Sequence, residues 1–282
     1  MSRAFFFCSR VRTAGVWRGP TRLPRVRIGF AGAGNMATAI ARGWASSEGG
    51  PEAMLFSDAG SGRAARLAAE TGGEAVDSLR DLARGSDAVV LAMKPGALET
   101  AAEMLEGEAK AIVSVLGATS VARLRELFPD VPVVRTMPMV AVEIQSGVVC
   151  HAPIDAELDG TAGARLLDLF DEIGHLVEVR DEVMDVATAL MACTPAYLAV
   201  VVQNLAEAGA EEGIDEEQAY DLVLDSFAGT IDVLRRYDPI EVRRTVASPG
   251  GSTEAGLEAL ADAGATDAFR EAVAASLRRM RG

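Results

Sequence analysis

The sequence predicts an α/β fold, a doubly wound parallel-sheet domain followed by an all-α domain. Three observations predict it. Near the start, a glycine-rich turn joins a short apolar run to a helical pattern. Short apolar runs then alternate with helical spacings to about residue 178, the pattern of strands buried on both faces by crossover helices. From Val183 onward no strand pattern remains, only long helical ones.

Residues 1–24 read as a basic N-terminal arm outside the fold. Arg3, Arg10, Arg12, Arg18 and Arg22 crowd it, and the first acidic residue of the chain is Glu48. Phe5-Phe6-Phe7 is too short for the apolar region of a signal peptide. A disordered arm, an upstream start codon and a transit peptide stay open as readings of this stretch.

Residues 25–178 are assigned to the sheet domain. Residues 26–30 form a short apolar run entering a glycine turn, hence a buried strand, and 36–44 follow with helical spacing. Residues 54–56 read as a second strand ending at Ser57-Asp58, and 63–70 as a helix. Strands follow at 88–93, stopped by Lys94-Pro95-Gly96, at 111–116, and at 131–135, stopped before Pro138.

Residues 179–282 are assigned to the helical domain, with patterns over 183–211, 215–237, 239–246 and 252–280. The stretch 186–202 carries no charge. Thr188, Thr194 and Pro195 interrupt it and it falls short of a membrane span, so it reads as a helix buried on all sides within a dimer.

Composition narrows the function. The 282 residues are 49% hydrophobic, enough for a large core, and the net charge of -14 argues against a nucleic-acid partner. Cys8, Cys150 and Cys193 have no paired spacing, and His151 and His175 are the only histidines. Disulfides, a zinc site and a Ser-His-Asp triad therefore lack support, no metal is expected, and the cytoplasm is the expected compartment.

Two constellations carry chemistry. Gly32, Gly34 and Ala37 fit the G-x-G-x-x-G/A spacing, with Ala33, Asn35 and Met36 between them, after a strand and at the start of a helix. Gly32 permits the tight turn, Gly34 the approach of a pyrophosphate, and Ala37 close packing of helix on strand. In that strand–turn–helix context the motif reads as a Rossmann dinucleotide site. Asp58 ends the second strand, where an acid would hold a ribose 2′-OH and favour NADH; equally, it could cap the next helix. A 2′-phosphate would need a cation there, and Arg63 is the nearest. NADPH and NADH both stay open. Ala92-Met93-Lys94-Pro95 ends a strand at the carboxyl edge of the sheet, so Lys94 is either a nicotinamide neighbour or a solvated strand end.

The second constellation is Ser248-Pro249-Gly250-Gly251-Ser252-Thr253. Two glycines behind a proline expose backbone N–H groups, two hydroxyls follow, and Leu257 and Leu260 continue with helical spacing. This is either a capped turn or a small pocket for an anion and an amine at a helix start.

Together these segments resemble the pyrroline-5-carboxylate reductase family. The resemblance runs from about Arg27 to Arg279. Its segments are Ile28-Gly29-Phe30 with Gly32 to Ala37, Lys94-Pro95, Arg135 with Met137-Pro138, Asp185-Val186-Ala187-Thr188-Ala189, Pro195-Ala196-Tyr197, Ala208-Gly209 and Ser248 to Thr253. It implies NAD(P)H-dependent reduction of the cyclic imine 1-pyrroline-5-carboxylate to L-proline. It also implies a homodimer with interleaved helices, often assembled further into decamers, whose active site is completed at the interface. By the same resemblance Gly250, Gly251, Ser252 and Thr253 bind the substrate carboxylate, Thr253 hydrogen-bonds the ring nitrogen as the catalytic residue, and Ser248 shapes the turn.

The chain departs from the family in places. Met139-Val140-Ala141 stands where the family continues Met-Pro with Asn, Thr or Ser, and Pro, and Met191-Ala192-Cys193-Thr194 stands where it has a Ser-Gly-Ser-Gly run. Ser78 and Thr245 each replace a frequent Asn. The two segments, expected near the nicotinamide, and Ser78, expected near the adenosine side of the cofactor, leave two alternatives: an imine reductase-like paralogue with another cyclic imine, or a non-catalytic dinucleotide-binding subunit. A β-hydroxyacid dehydrogenase would need a helix-borne lysine in its second domain, and no lysine follows Lys110.

Overall fold

The computed structural model describes residues 26–154 and 162–281, so the basic arm assigned to 1–24 lies outside the described residues. The N-terminal half alternates strands and helices: β1 (Arg27–Ala31), α1 (Asn35–Ala45), β2 (Ala53–Ser57), α2 (Arg63–Thr71), β3 (Glu74–Ala75), α3 (Leu79–Gly85), β4 (Ala88–Leu91), α4 (Leu98–Leu105), β5 (Ile112–Ser114), α5 (Val121–Leu127) and β6 (Val133–Pro138). Then come β7 (Gly147–His151), α6 (Ala162–Ile173) and β8 (Gly174–Glu178). The sheet order is β3-β2-β1-β4-β5-β6-β7-β8. All pairings are parallel except β6 with β7.

Alternation along the strands builds a core on each face of the sheet. Ile28 and Phe30 of β1 and Val90 of β4 face one layer, with Ile40 and Trp44 of α1 and Phe170 of α6. Val89 and Leu91 face the other, with Leu82, Leu98, Leu105 and Leu124 from α3, α4 and α5. Phe30 stacks on Phe56 at 5.1 Å between ring centroids, and Trp44 meets Phe170 edge-on at 5.2 Å. The buried indole Nε1–H of Trp44 donates to the Leu169 carbonyl at 2.7 Å.

The parallel sheet follows the sequence expectation, with differences at several strands. β4 ends at Leu91 rather than 93: Ala92 N–H makes the last bond to β1, at the Ala31 carbonyl, and the chain then passes against the Gly32 turn. β6 continues to Pro138 rather than stopping at 135, because Thr136, Met137 and Pro138 pair antiparallel with His151, Cys150 and Val149. β5 spans Ile112–Ser114 rather than 111–116, and β3, β7 and β8 were not expected.

Six further helices follow a short 3-10 turn: α7 (Met184–Met191), α8 (Thr194–Glu211), α9 (Glu216–Leu234), α10 (Pro239–Val246), α11 (Ser252–Asp262) and α12 (Ala265–Met280), of which α7 packs on β7 and α12. The pattern over 183–211 breaks at Ala192 and Cys193, just before Pro195, which a helix accepts only in its first turn. The pattern over 252–280 breaks at Gly264, whose φ of 76° ends one helix and starts the next. Asp215 starts α9 by accepting the Glu217 and Gln218 N–H groups.

The helix expected to be buried on all sides is not buried within one chain. Met184, Thr188 and Ala189 of α7 are buried, but Leu198, Val200 and Leu205 of α8 are exposed. The stretch Asp181–Glu211 is long and apolar enough to cross a membrane by length and composition.

Candidate active site

The first part of the site is the crevice at the end of β1. The strand order reverses between β1 and β4, the switch point at which open α/β sheets bind ligands. Gly32 has a φ of 105°, and its N–H donates to the Ser57 carbonyl at 2.8 Å. A Cβ on Gly32 would lie 2.8 Å from the Ala92 carbonyl and the Met93 nitrogen, so only glycine lets the β1 turn close against the exit of β4.

Gly34 is the N-cap of α1 and carries no capping side chain. The first intrahelical bond runs from Thr38 N–H to the Gly34 carbonyl, which leaves the N–H groups of Asn35, Met36 and Ala37 without a helical acceptor. A Cβ on Gly34 would have the Ala92 carbonyl as its nearest neighbour at 3.8 Å, so the space in front of these donors is open. Ala33 and Ala37 are buried beneath them. Free donors, the positive end of an eleven-residue helix and a bare backbone fit a dinucleotide pyrophosphate.

Asp58 follows β2, and its carboxylate is fully engaged by its own loop. It accepts from Gly60 N–H at 2.8 Å, Ser61 N–H at 3.0 Å, Ser61 Oγ at 2.8 Å and Ala64 N–H at 2.8 Å. Partial burial opposes ionisation, but the bonds from Ala64, Ser61 and Gly60 outweigh it and hold the carboxyl down to about 2. Of the two readings of Asp58, the geometry is that of the cap. The loop it organises leaves Ser61 and Arg63 exposed at the end of β2.

On the other side of the crevice, Ala92 N–H donates to the Ala31 carbonyl at 2.9 Å. Lys94 is exposed and starts the 3-10 turn Pro95–Ala97 at the carboxyl edge. Ser78 caps α3, its hydroxyl accepting the Asp81 N–H.

The second part of the site is the start of α11. Gly250 has a φ of 73°, and Gly251 is the N-cap. Gly251 N–H donates to the Ser248 carbonyl at 2.9 Å, and Gly250 N–H donates to Oε2 of Glu254 at 2.7 Å. The first intrahelical bond is Ala255 N–H to the Gly251 carbonyl. Hence Ser252, Thr253 and Glu254 keep N–H groups without a helical acceptor, and Ser252 and Thr253 are exposed. Glu254 was missed in the sequence, although a Glu three residues after an N-cap is the capping-box position that would have found it.

The structure does not bring the two parts together within one chain. Among the described residues, no hydrogen bond or ion pair joins 248–253 to the β1 turn, Asp58 or 92–95, and α11 packs chiefly on α12. The two segments expected near the nicotinamide both lie where one element gives way to the next. Met139 leads into the 3-10 turn Val140–Ile144, which packs on the last turn of α1, where Arg42 pairs with Glu143 at 2.7 Å. Met191 ends α7, and Cys193 is the N-cap of α8.

A buried ion cluster also went unread. Arg135 of β6 is 3% exposed and donates to Oδ1 of Asp181 at 2.7 Å and Oδ1 of Asp185 at 3.3 Å. The other oxygen of Asp181 accepts Val121 N–H, the first of α5, at 2.9 Å. Among the described residues no group of three or more His, Cys, Asp or Glu is placed to hold a metal.

Comparison with known proteins adds to this geometry. Residues 181–282 match the family model for pyrroline-5-carboxylate reductase dimerisation, and residues 27–117 match that for NADP oxidoreductase, coenzyme F420-dependent. The chain is 33% identical over 263 residues to pyrroline-5-carboxylate reductase of Thermus thermophilus, covering 90% of this chain and 97% of the relative. The crystal structure of 1-pyrroline-5-carboxylate reductase from Streptococcus pyogenes superposes with a TM-score of 0.84 at 27% identity, covering 91% of this chain and 98% of that one. That of pyrroline carboxylate reductase from Plasmodium falciparum, with NADP bound, superposes with a TM-score of 0.83 at 24% identity, covering 91% and 97%. A Gly-lined crevice at the strand switch point, a hydroxyl-bearing helix start in the helical half and relatives aligned across both halves place the chain in the pyrroline-5-carboxylate reductase family.

Proposed function

We propose that this chain reduces 1-pyrroline-5-carboxylate to L-proline with a nicotinamide dinucleotide, NADPH in preference to NADH. The observation that carries the reaction is the full-length likeness to a reductase of that name, 33% identical over 90% of this chain. Asp58 supports the cofactor preference: with four donors on its carboxylate it has little capacity left for a ribose diol. Ser61 and Arg63, exposed on the same loop, suit a 2′-phosphate.

In this reading the pyrophosphate lies on the N–H groups of Asn35 and Met36, over Gly32, Ala33 and Gly34. Ala92, Met93, Lys94 and Pro95 border the nicotinamide. The cofactor, when bound, supplies a hydride to the imine carbon. The free N–H groups and hydroxyls of Ser252 and Thr253 hold the substrate carboxylate on the positive end of α11. Gly250 and Gly251 shape that turn, with Ser248 accepting the Gly251 N–H. Thr253 Oγ1 holds the ring nitrogen, which takes one proton from solvent before the hydride arrives and keeps it as the N–H of the product. A protonated imine is already a good electrophile, so the residues mainly align two reactants and exclude water.

Because the two parts lie apart within a chain, the complete site needs a second copy. The exposed apolar faces of α8 and α9 are the surface for a homodimer with interleaved helices, and the match of residues 181–282 to a dimerisation model supports packing against protein rather than lipid. A cytoplasmic setting suits a reaction between soluble metabolites, and the dimers are expected to assemble further, up to decamers.

The test is to mix purified protein with 1-pyrroline-5-carboxylate and either NADPH or NADH and to follow loss of reduced-nicotinamide absorbance. Turnover with NADPH at the higher kcat/KM is expected, and no turnover with either cofactor rejects the reading. Thr253→Ala is expected to lose about 1–3 kcal/mol of transition-state stabilisation, the range for a hydrogen bond to a charged or charging group.

A further inference from the structure

We infer that Glu254 is a positioning residue for the substrate carboxylate: by holding the Gly250 amide it dedicates the Ser252–Thr253 end of α11 to the incoming anion. This rests on the reading of Ser248 to Thr253 as the carboxylate clamp. Three observations carry it. Gly250 N–H points into the first turn of α11 and donates to Oε2 of Glu254 at 2.7 Å. Gly250 sits at a φ of 73°, with no heavy atom within 4 Å of the place a Cβ would occupy, so side-chain packing does not fix this conformation. Gly251 N–H is held by the Ser248 carbonyl at 2.9 Å.

Two of the four successive backbone donors at this turn are therefore satisfied internally, and those of Ser252 and Thr253 are free. A flexible Gly-Gly turn left to itself would sample many orientations of all four. The carboxylate of Glu254 selects one of them and leaves the free pair beside the two hydroxyls. It does so at an electrostatic cost, because it puts a negative charge beside the place the substrate's own carboxylate must occupy. A neutral acceptor of the same length keeps the hydrogen bond and removes that charge. Charge and hydrogen bond can therefore be separated.

The readout is the ratio of kcat/KM for 1-pyrroline-5-carboxylate to kcat/KM for 1-pyrroline, the same ring without its carboxylate, measured with the full-length protein. A defect of folding or of cofactor binding lowers both values and leaves the ratio alone. Glu254→Ala is expected to lower the ratio about tenfold, the loss of one charge-assisted hydrogen bond. Glu254→Ser, too short to reach the Gly250 amide, serves in parallel. Glu254→Gln, which keeps an acceptor, is expected to restore the ratio to the parent value or above it.

A ratio unmoved by Glu254→Ala and Glu254→Ser, but lowered by Thr253→Ala, overturns the role of Glu254 and leaves the clamp standing. A ratio unmoved by Thr253→Ala as well overturns the clamp and this inference with it. A ratio that Glu254→Gln lowers as much as Glu254→Ala also overturns it, since the hydrogen bond would then not be what matters.

Discussion

Asp58 is a residue whose role changes once its partners are known. An acid at the end of the second strand suggests a ribose acceptor, yet all four of its bonds go to Gly60, Ser61 and Ala64. Its folded value of about 2 lies below the ordinary 3.8, so the ionised form is favoured by folding. The stabilisation is fully present above about pH 4 and lost as pH falls through about 2; with solvent screening it amounts to about 1–2 kcal/mol. Asp58→Asn is expected to be less stable than the parent at pH 6 and to lose less stability between pH 5 and pH 2. Urea unfolding at several pH values checks this, and parallel pH profiles would remove Asp58 from the account. The same residue shows a limit of motif reading: spacing places an acid at a strand end but does not say where its lone pairs go.

At the scale of elements, the packing of α1 reverses an ordinary rule. Gly43 lies in the last turns of α1, where replacing glycine by alanine usually stabilises a helix by about 1 kcal/mol. Here a Cβ would lie 2.3 Å from the Val142 carbonyl, a backbone atom of the 3-10 turn packed on α1. Gly43→Ala is expected to destabilise the protein by about 1–3 kcal/mol, read from the midpoint of chemical unfolding. That contact joins residues about a hundred positions apart, so periodicity gives no hint of it. Most of the parallel sheet was legible because each strand is an apolar run stopped by glycine, proline or a polar pair: β1 before Gly32, β2 at Ser57-Asp58. β7 and β8 were not, since β7 pairs antiparallel and β8 reads Gly-His-Leu-Val-Glu, with no apolar run longer than two. In the site, the residues named by glycine spacing were legible. Asp181 and Val121 were not, because what matters in them is a partner distant in sequence; Glu254 has the capping-box spacing but a glycine, not Ser or Thr, at the N-cap to mark it.

At the scale of the whole molecule, the chain divides by how well it covers itself. The sheet half has a closed core on both faces, from Ile28 to Ile173. In α8 to α12 only Val202, Ala206 and Ala219 are buried apolar residues, while Leu198, Tyr220, Leu224, Ile231 and Phe269 are exposed. A helical layer with that exposure gains its stability from association. Thermal unfolding is therefore expected to depend on protein concentration, with Tm rising as subunit concentration rises. Replacing Leu198 and Leu224 by Glu should abolish that dependence and yield a monomer by sedimentation. A Tm independent of concentration in the parent, together with a monomeric mass, would count against the dimer.

The Arg135–Asp181–Asp185 cluster also limits how the two halves can move. Asp181 opens the helical half, and its two oxygens are claimed by different elements of the sheet half, Arg135 of β6 and the first N–H of α5. Swinging the helices away as a hinged body would break both ion pairs of a guanidinium that is 3% exposed, together with the Val121 N–H bond to Asp181. The joint at residue 181 behaves as a fixed elbow. Entry of substrate and exit of product then fall to movements other than a hinge at residue 181.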